Sequence, residues 1–180
     1  LYSAKATANK GETTFHFQLS GDPYKSSPDY VSHARNLEFA YPESTENWLN
    51  RCKHKLTELI REETRNELLH NSLISERPEL LVGTIASSTI VGSTELFVGW
   101  LKEQRDRKYL ALEMEAAGVM TAAHTRPTAT LIIRDVSDYS DSRKAALDKT
   151  GNGALRCYAM NNAIELLWTF MDLQLFRHTR

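Results

Sequence analysis

From residue 80 onward the hydrophobic period of the chain switches repeatedly between that of a strand and that of a helix. "ELLVGTIAS" contains a short apolar run, Leu80 to Ile85, bounded by Pro78 and by small residues. That predicts a buried strand running into a small-residue loop, "IASSTIVGS". "TELFVGWLKEQRD" predicts a short amphipathic helix and "KYLALEME" the next strand. "EAAGVMTAAH" is a helix of small residues, able to pack closely on a sheet, and "TATLIIRDVSD" another apolar strand. "GALRCYAMNNAIELLWTFMDLQLF" is the closing helix, with Leu155, Ala159, Ala163, Leu166, Leu167 and Phe170 on one stripe and Asn152 as a candidate N-cap. Strand and helix in alternation predict an α/β architecture with a largely parallel sheet. In such sheets ligands sit beyond the carboxyl ends of the strands.

The first half is less regular. "TTFHFQL" alternates Phe15 and Phe17 with polar neighbours and predicts a half-buried strand. "SGDPYKSSPDY" has the composition of a loop. From Pro42 to Asn71 the pattern is helical, with Ser44 or Thr45 as N-cap and with Trp48, Leu49, Cys52, Leu56, Leu59 and Ile60 on one face. Glu58 and Arg61 are spaced to pair on the wet side.

A length of 180 residues suits one domain with a sizeable core. A net charge of −1 gives no electrostatic reason to bind nucleic acid or an anionic membrane surface. No apolar run is long enough to span a bilayer. Cys52 and Cys157 have no metal-type spacing with each other or with a histidine pair; they fit a reducing, cytoplasmic setting, with a disulfide between the two as the alternative. The six histidines form no HxxxH or HxH cluster, so no metal site is expected. The chain opens with Leu1 and no start-like segment, which reads as an N-terminus made by truncation or cleavage.

The stretch "YLALEMEAAGVM", Tyr109 to Met120, poses the chemical question. Most of it is apolar, yet it carries Glu113 and Glu115 with no cation beside them. Buried glutamate is rare unless paired or used. One of the two can cap the following helix, because carboxylates suit helix N-termini. The other is then left to face solvent or to grip a polar ligand. Ser137 and Asp138 follow the next apolar run, and the "IASS" loop follows the preceding one. If the strands are neighbours, these groups share one rim of the sheet.

"GTIASSTIV", "ALEMEAAGVM" and "LIIRDVSDYSDSRK", in this order, resemble the nucleoside phosphorylase superfamily. The branch most similar is that of the methylthioadenosine/S-adenosylhomocysteine nucleosidases and of related domains fused to signalling or immune-type ATPases. The likeness covers roughly residues 80–172. It implies a three-layer α/β/α sandwich around a mixed, largely parallel sheet. The chain would be the C-terminal two-thirds of one such domain, lacking its first strands and its glycine-rich turn, with a helical insertion at about 42–71.

By the same resemblance Glu115 holds the ribose 2′- and 3′-hydroxyls and Met114 packs on the sugar. Asp138, beside Ser137, protonates the purine at N7. Ser87, Ile90 and Val91 line the base, although the usual aromatic stacker is not evident there. Glu113 serves structure or supports its neighbour. Arg143 and Lys144 are candidate contacts for a nucleotide's 5′-phosphates, set against a plain surface charge pair beside Asp141. The implied reaction, once the missing N-terminal part of the domain is supplied, is cleavage of the N-glycosidic bond of a purine nucleoside or nucleotide, by water or by phosphate according to groups in that missing part, with no cofactor. A silent nucleoside-binding or assembly module is the alternative. A homo-oligomer, dimer or higher, is expected, possibly fused to other domains.

Overall fold

The computed structural model describes residues 2–8, 15–20, 23–88, 99, 103, 109–126, 128–138 and 143–176. In chain order the elements are β1 (Tyr2–Ala8), β2 (Phe15–Ser20), α1 (Pro28–Ala40), α2 (Pro42–Leu59), α3 (Glu62–His70), β3 (Thr84–Ser88), β4 (Tyr109–Glu113), α4 (Ala116–His124), α5 (Lys144–Lys149) and α6 (Ala154–Asp172). A 3₁₀ turn, Thr150–Gly153, joins the last two. The chain is thus a mixed α and β protein. Its described residues group into two compact units.

The first unit holds the described residues of 1–28 and 82–132. Its sheet has the order β2-β1-β3-β4. β1 pairs antiparallel with β2 and parallel with β3, and β3 pairs parallel with β4. β1, "YSAKATA", alternates small apolar with polar residues, the period of a strand. β3 starts at Thr84, later than the Leu80–Ile85 run predicted, and Leu81 is exposed. The residues that are buried are the small ones, Ala86 and Ser87, on the strand against which α4 packs. Residues 128–138, predicted as a strand, carry no regular element. Their β-branched side chains favour extension, but extension becomes a strand only with a ladder partner. The chain leaves the first unit and enters the second within this run. The helix predicted over "TELFVGWLKEQRD" lies almost wholly outside the described residues.

The second unit holds the described residues of 29–81, 133–138 and 143–176, and it is built on α2 against α6. Trp48, Leu49, Cys52, Leu56 and Ile60 are buried along the predicted face of α2. The Trp48 indole donates to the carbonyl of Asn162 at 3.2 Å, and Arg51 bridges to Glu165 at 2.6 Å. A core of Leu56, Ile60, Leu68, Leu147, Leu155 and Tyr158 ties α2, α3, α5 and α6 together.

Several helix ends differ from the sequence reading. α2 begins at Pro42, not at a Ser44 or Thr45 cap. Proline suits the first turn because its missing N–H would have had no partner there. Thr45 instead donates its hydroxyl to the carbonyl of Tyr41. The helical stretch to Asn71 breaks at Ile60, whose extended backbone (φ −120°, ψ 125°) sends its side chain into the core. The break removes the helical spacing for a Glu58–Arg61 pair, and Glu58 takes Lys55 at 2.8 Å. α6 starts after Gly153 at φ 87°, a left-handed conformation that suits glycine, in place of a cap at Asn152. α1 was not foreseen. It buries Tyr30 and Leu37, and the Tyr30 ring stands edge-on to Phe176 at 5.1 Å.

Candidate functional site

β3 and β4 run parallel with Ser87 opposite Glu113, so their carboxyl ends lie side by side. The chain turns at Met114 and Glu115 and enters α4 at Ala116. Glu113 is buried, 9% exposed, and its Oε2 accepts hydrogen bonds from the backbone N–H groups of Glu115 and Ala116, both at 2.8 Å. Ser87, 1% exposed, accepts from the N–H of Ala117 through its hydroxyl oxygen at 3.0 Å. The next two amides, of Gly118 and Val119, bond to the carbonyl of Glu115. The opening donors of α4 are therefore met by the protein itself. A carboxylate against a helix N-terminus is also favoured by the helix dipole.

The two glutamates have separate tasks. Glu113 is spent on the helix. Glu115 is exposed, next to Met114 at 43% exposure. A carboxylate with a thioether beside it is thereby presented at the carboxyl end of a parallel strand pair, where α/β proteins receive ligands. Chemically, such a pair can accept two hydrogen bonds from vicinal hydroxyls and cover an apolar ring edge.

Ser87, Met114 and Glu115 belong to the first unit, and Ser137, Asp138, Arg143 and Lys144 to the second. Ser137 and Asp138 are half-buried, with the serine hydroxyl 3.4 Å from Asp138 Oδ2. Arg143 is exposed and immediately precedes α5, its carbonyl accepting from the N–H of Leu147. Lys144 opens α5. Ile90, Val91 and Asp141 lie outside the described residues.

The second unit also holds a polar cluster that the sequence did not single out. Burial raises Asp135 above the usual aspartate range, while hydrogen bonds from Asn162 and from the N–H of Val136, the latter at 2.7 Å, pull the other way. Burial, reinforced by the carboxylates of Glu165 and Asp135, pushes the Cys52 thiol up to about 12. A thiol so high stays protonated at neutral pH, so Cys52 is a core residue and not a nucleophile. The Tyr158 phenol is pushed up to about 12, again first by burial. Only long-range packing, of α2 on α6 and of the stretch carrying Asp135 against Asn162, brings these groups together, and no local motif announces it.

Among the described residues no group of His, Cys, Asp and Glu could hold a metal ion. None of their helices is long and apolar enough to cross a membrane. No family model, no curated protein and no solved structure matches the chain.

Proposed function

We propose that this protein cleaves the N-glycosidic bond of a purine nucleoside or nucleotide and releases the base, on a three-layer α/β/α sandwich of the nucleoside phosphorylase type. The observation that carries this reading is the division between the two glutamates. Glu113 and Ser87 fix the start of α4, and the turn they hold presents Glu115 beside Met114.

In this reaction the bond from C1′ to the purine nitrogen breaks, and its electron pair leaves with the purine. Positive charge develops on the ribose. Glu115 accepts hydrogen bonds from the 2′- and 3′-hydroxyls and favours that cation, an interaction stronger in the transition state than in the ground state. Met114 packs on the sugar. Asp138, oriented by Ser137, delivers a proton to N7 of the departing base. Arg143 and Lys144 meet the 5′-phosphates when the substrate is a nucleotide. The oxygen that takes the ribose comes from water or from phosphate.

The test is release of purine from methylthioadenosine, adenosine, AMP and ATP by the full-length protein, with and without inorganic phosphate. Dependence on phosphate assigns the acceptor. Glu115→Gln should lower turnover by orders of magnitude with the fold intact. Asp138→Asn should cost about a hundred- to ten-thousand-fold, as loss of a general acid does. Release at the wild-type rate by both variants, or no release from any of the four substrates, refutes the reading.

A further inference from the structure

Residues 133–138 enter the second unit with no strand or helix of their own, yet they carry Ser137 and Asp138. Two contacts relate this run to α6. Asp135 accepts from the side-chain amide of Asn162 and, through Oδ1, from the N–H of Val136 at 2.7 Å. Asp138 lies within electrostatic reach of Arg156. Asn162 is six residues beyond Arg156 on α6, about 9 Å at 1.5 Å per residue. Asp135 and Asp138 are three residues apart, about 10 Å when extended. The two lengths match, so the run lies along α6 and opposite to it in direction. Both helix residues are themselves fixed. Asn162 is 3% exposed, and its backbone carbonyl accepts from the Trp48 indole of α2 at 3.2 Å. Arg156 donates from Nε to Asp148 Oδ1 at 2.8 Å and from Nη2 to Oδ2. The Oδ1 of Asn162 is buried and meets no donor among the described residues. A buried acceptor without a donor is costly. The carboxyl of Asp135 supplies one when protonated, and an amide in its place always can.

We propose that Asp135 is a positioning residue for Asp138: its bond to Asn162 clamps the run 133–138 onto α6 and so sets where the Ser137–Asp138 pair meets the purine. This deepens, and rests on, the reading of Asp138 as the proton donor. An irregular run has no ladder to hold it, so the entropy of ordering its backbone must be offset by side-chain contacts. Proton transfer needs the donor within hydrogen-bond reach of its acceptor, and a misplacement of about 1 Å can cost about a hundredfold. In this role Asp135 meets no substrate atom and acts through Asp138, three residues on.

The experiment joins NMR order parameters of the full chain with purine release by the full-length protein. Asp135→Ala should lower the order parameters of the Ser137 and Asp138 amides from the rigid range, about 0.85, to below about 0.6. It should lower kcat roughly a hundredfold and leave KM within about twofold, because the contacts to the sugar are kept. Asp135→Asn keeps the acceptor for Asn162 and adds a donor for its Oδ1, so it should restore both order and rate. In an Asp138→Asn background, Asp135→Ala should cost no further rate, since a residue that acts through Asp138 then has nothing left to position. A residue that merely supports the fold would slow both backgrounds alike. Circular dichroism and the melting midpoint check folding. Should Asp135→Ala not fold, Asp135→Ser makes the same test with a polar side chain too short to reach Asn162. Unchanged order parameters in Asp135→Ala overturn the proposal. So does Asp135→Asn behaving like Asp135→Ala, or Asp135→Ala slowing the Asp138→Asn protein as much as it slows the wild type. If the wild type releases no purine, the reaction itself falls, and the order parameters alone decide whether Asp135 clamps the run.

Discussion

Replacing Glu113 by alanine removes the acceptor of two backbone donors at the start of α4 and the one carboxylate seated on them. Loss of a helix cap costs about 1–2 kcal/mol. The charge–dipole contribution at a partly buried N-terminus adds about 0.5–1 kcal/mol. The sum is about 1.5–3 kcal/mol. In a chain of this length that lowers the midpoint of thermal unfolding by about 3–12 °C. Glu113→Gln keeps one acceptor oxygen and loses the charge, so its cost should be about half. Ser87→Ala removes a single neutral acceptor and should cost about 1 kcal/mol. Glu115→Gln alters an exposed side chain and should stay within about 0.5 kcal/mol of wild type.

Hydrogen exchange separates these effects residue by residue. Glu113→Ala should deprotect the amides of Glu115 and Ala116, whereas Ser87→Ala should deprotect that of Ala117 alone. If the proposed function holds, the ranking in stability should be the reverse of the ranking in turnover, because the residue that holds the turn is not the one proposed to meet the ligand. If Glu113→Ala leaves both the melting midpoint and the protection of Ala116 unchanged, Glu113 does not cap α4 and does not set the exposure of Glu115.

Leu56, fully buried between α2 and its neighbours, should cost about 2–5 kcal/mol when cut to alanine, measured by urea unfolding. Gly153→Ala places a β-carbon on a backbone at φ 87° and should destabilise by about 1 kcal/mol or more, read in the same assay. Asp135 is raised by burial, so the folded protein holds its proton more tightly than the unfolded chain. The stability this contributes is fully present below the unfolded value of about 3.9 and is lost as pH rises through the higher folded value. Asp135→Asn should therefore gain on wild type at neutral pH, and urea midpoints of the two should converge as the pH falls below about 4.

What the sequence announced and what it hid follow from how local each signal is. The buried face of α2, the stripe of α6 except for Leu167, which is exposed, and the pairing of strand with helix from Tyr109 to His124 are periodic in the side chains themselves. β1 escaped because its apolar positions are alanines, which carry little strand preference. Its place in the sheet comes from neighbours far along the chain. α1 escaped because it has only two buried residues, Tyr30 and Leu37, seven apart. Residues 128–138 show the opposite failure, since β-branched composition predicts extension but cannot supply the partner strand. The start of α6 depended on one left-handed glycine, and the raised Asp135 on burial created by distant helices.

The pair of glutamates shows why a site can be half legible. Glu113 and Glu115 are two apart, and in a continuing strand they would face the same side. They part company because β4 ends at Glu113 and the chain changes period before Ala116. The first carboxylate is left at the strand end, within reach of the first helical amides. The second sits on the turn itself and is carried outward. Composition alone cannot say where the period changes. Three features fix it here: the small residues "AAG" that let α4 start at once, the parallel neighbour that brings Ser87 to Ala117, and the side chain of Glu113, long enough to reach the amides two and three residues forward. Shortening that side chain should test the point directly. Glu113→Asp keeps the charge but not the reach, so the amide of Ala116 should lose protection while the charge of the site is unchanged. Full protection in that variant would mean that the helix start is set by the backbone alone, and that the exposure of Glu115 needs no capping carboxylate.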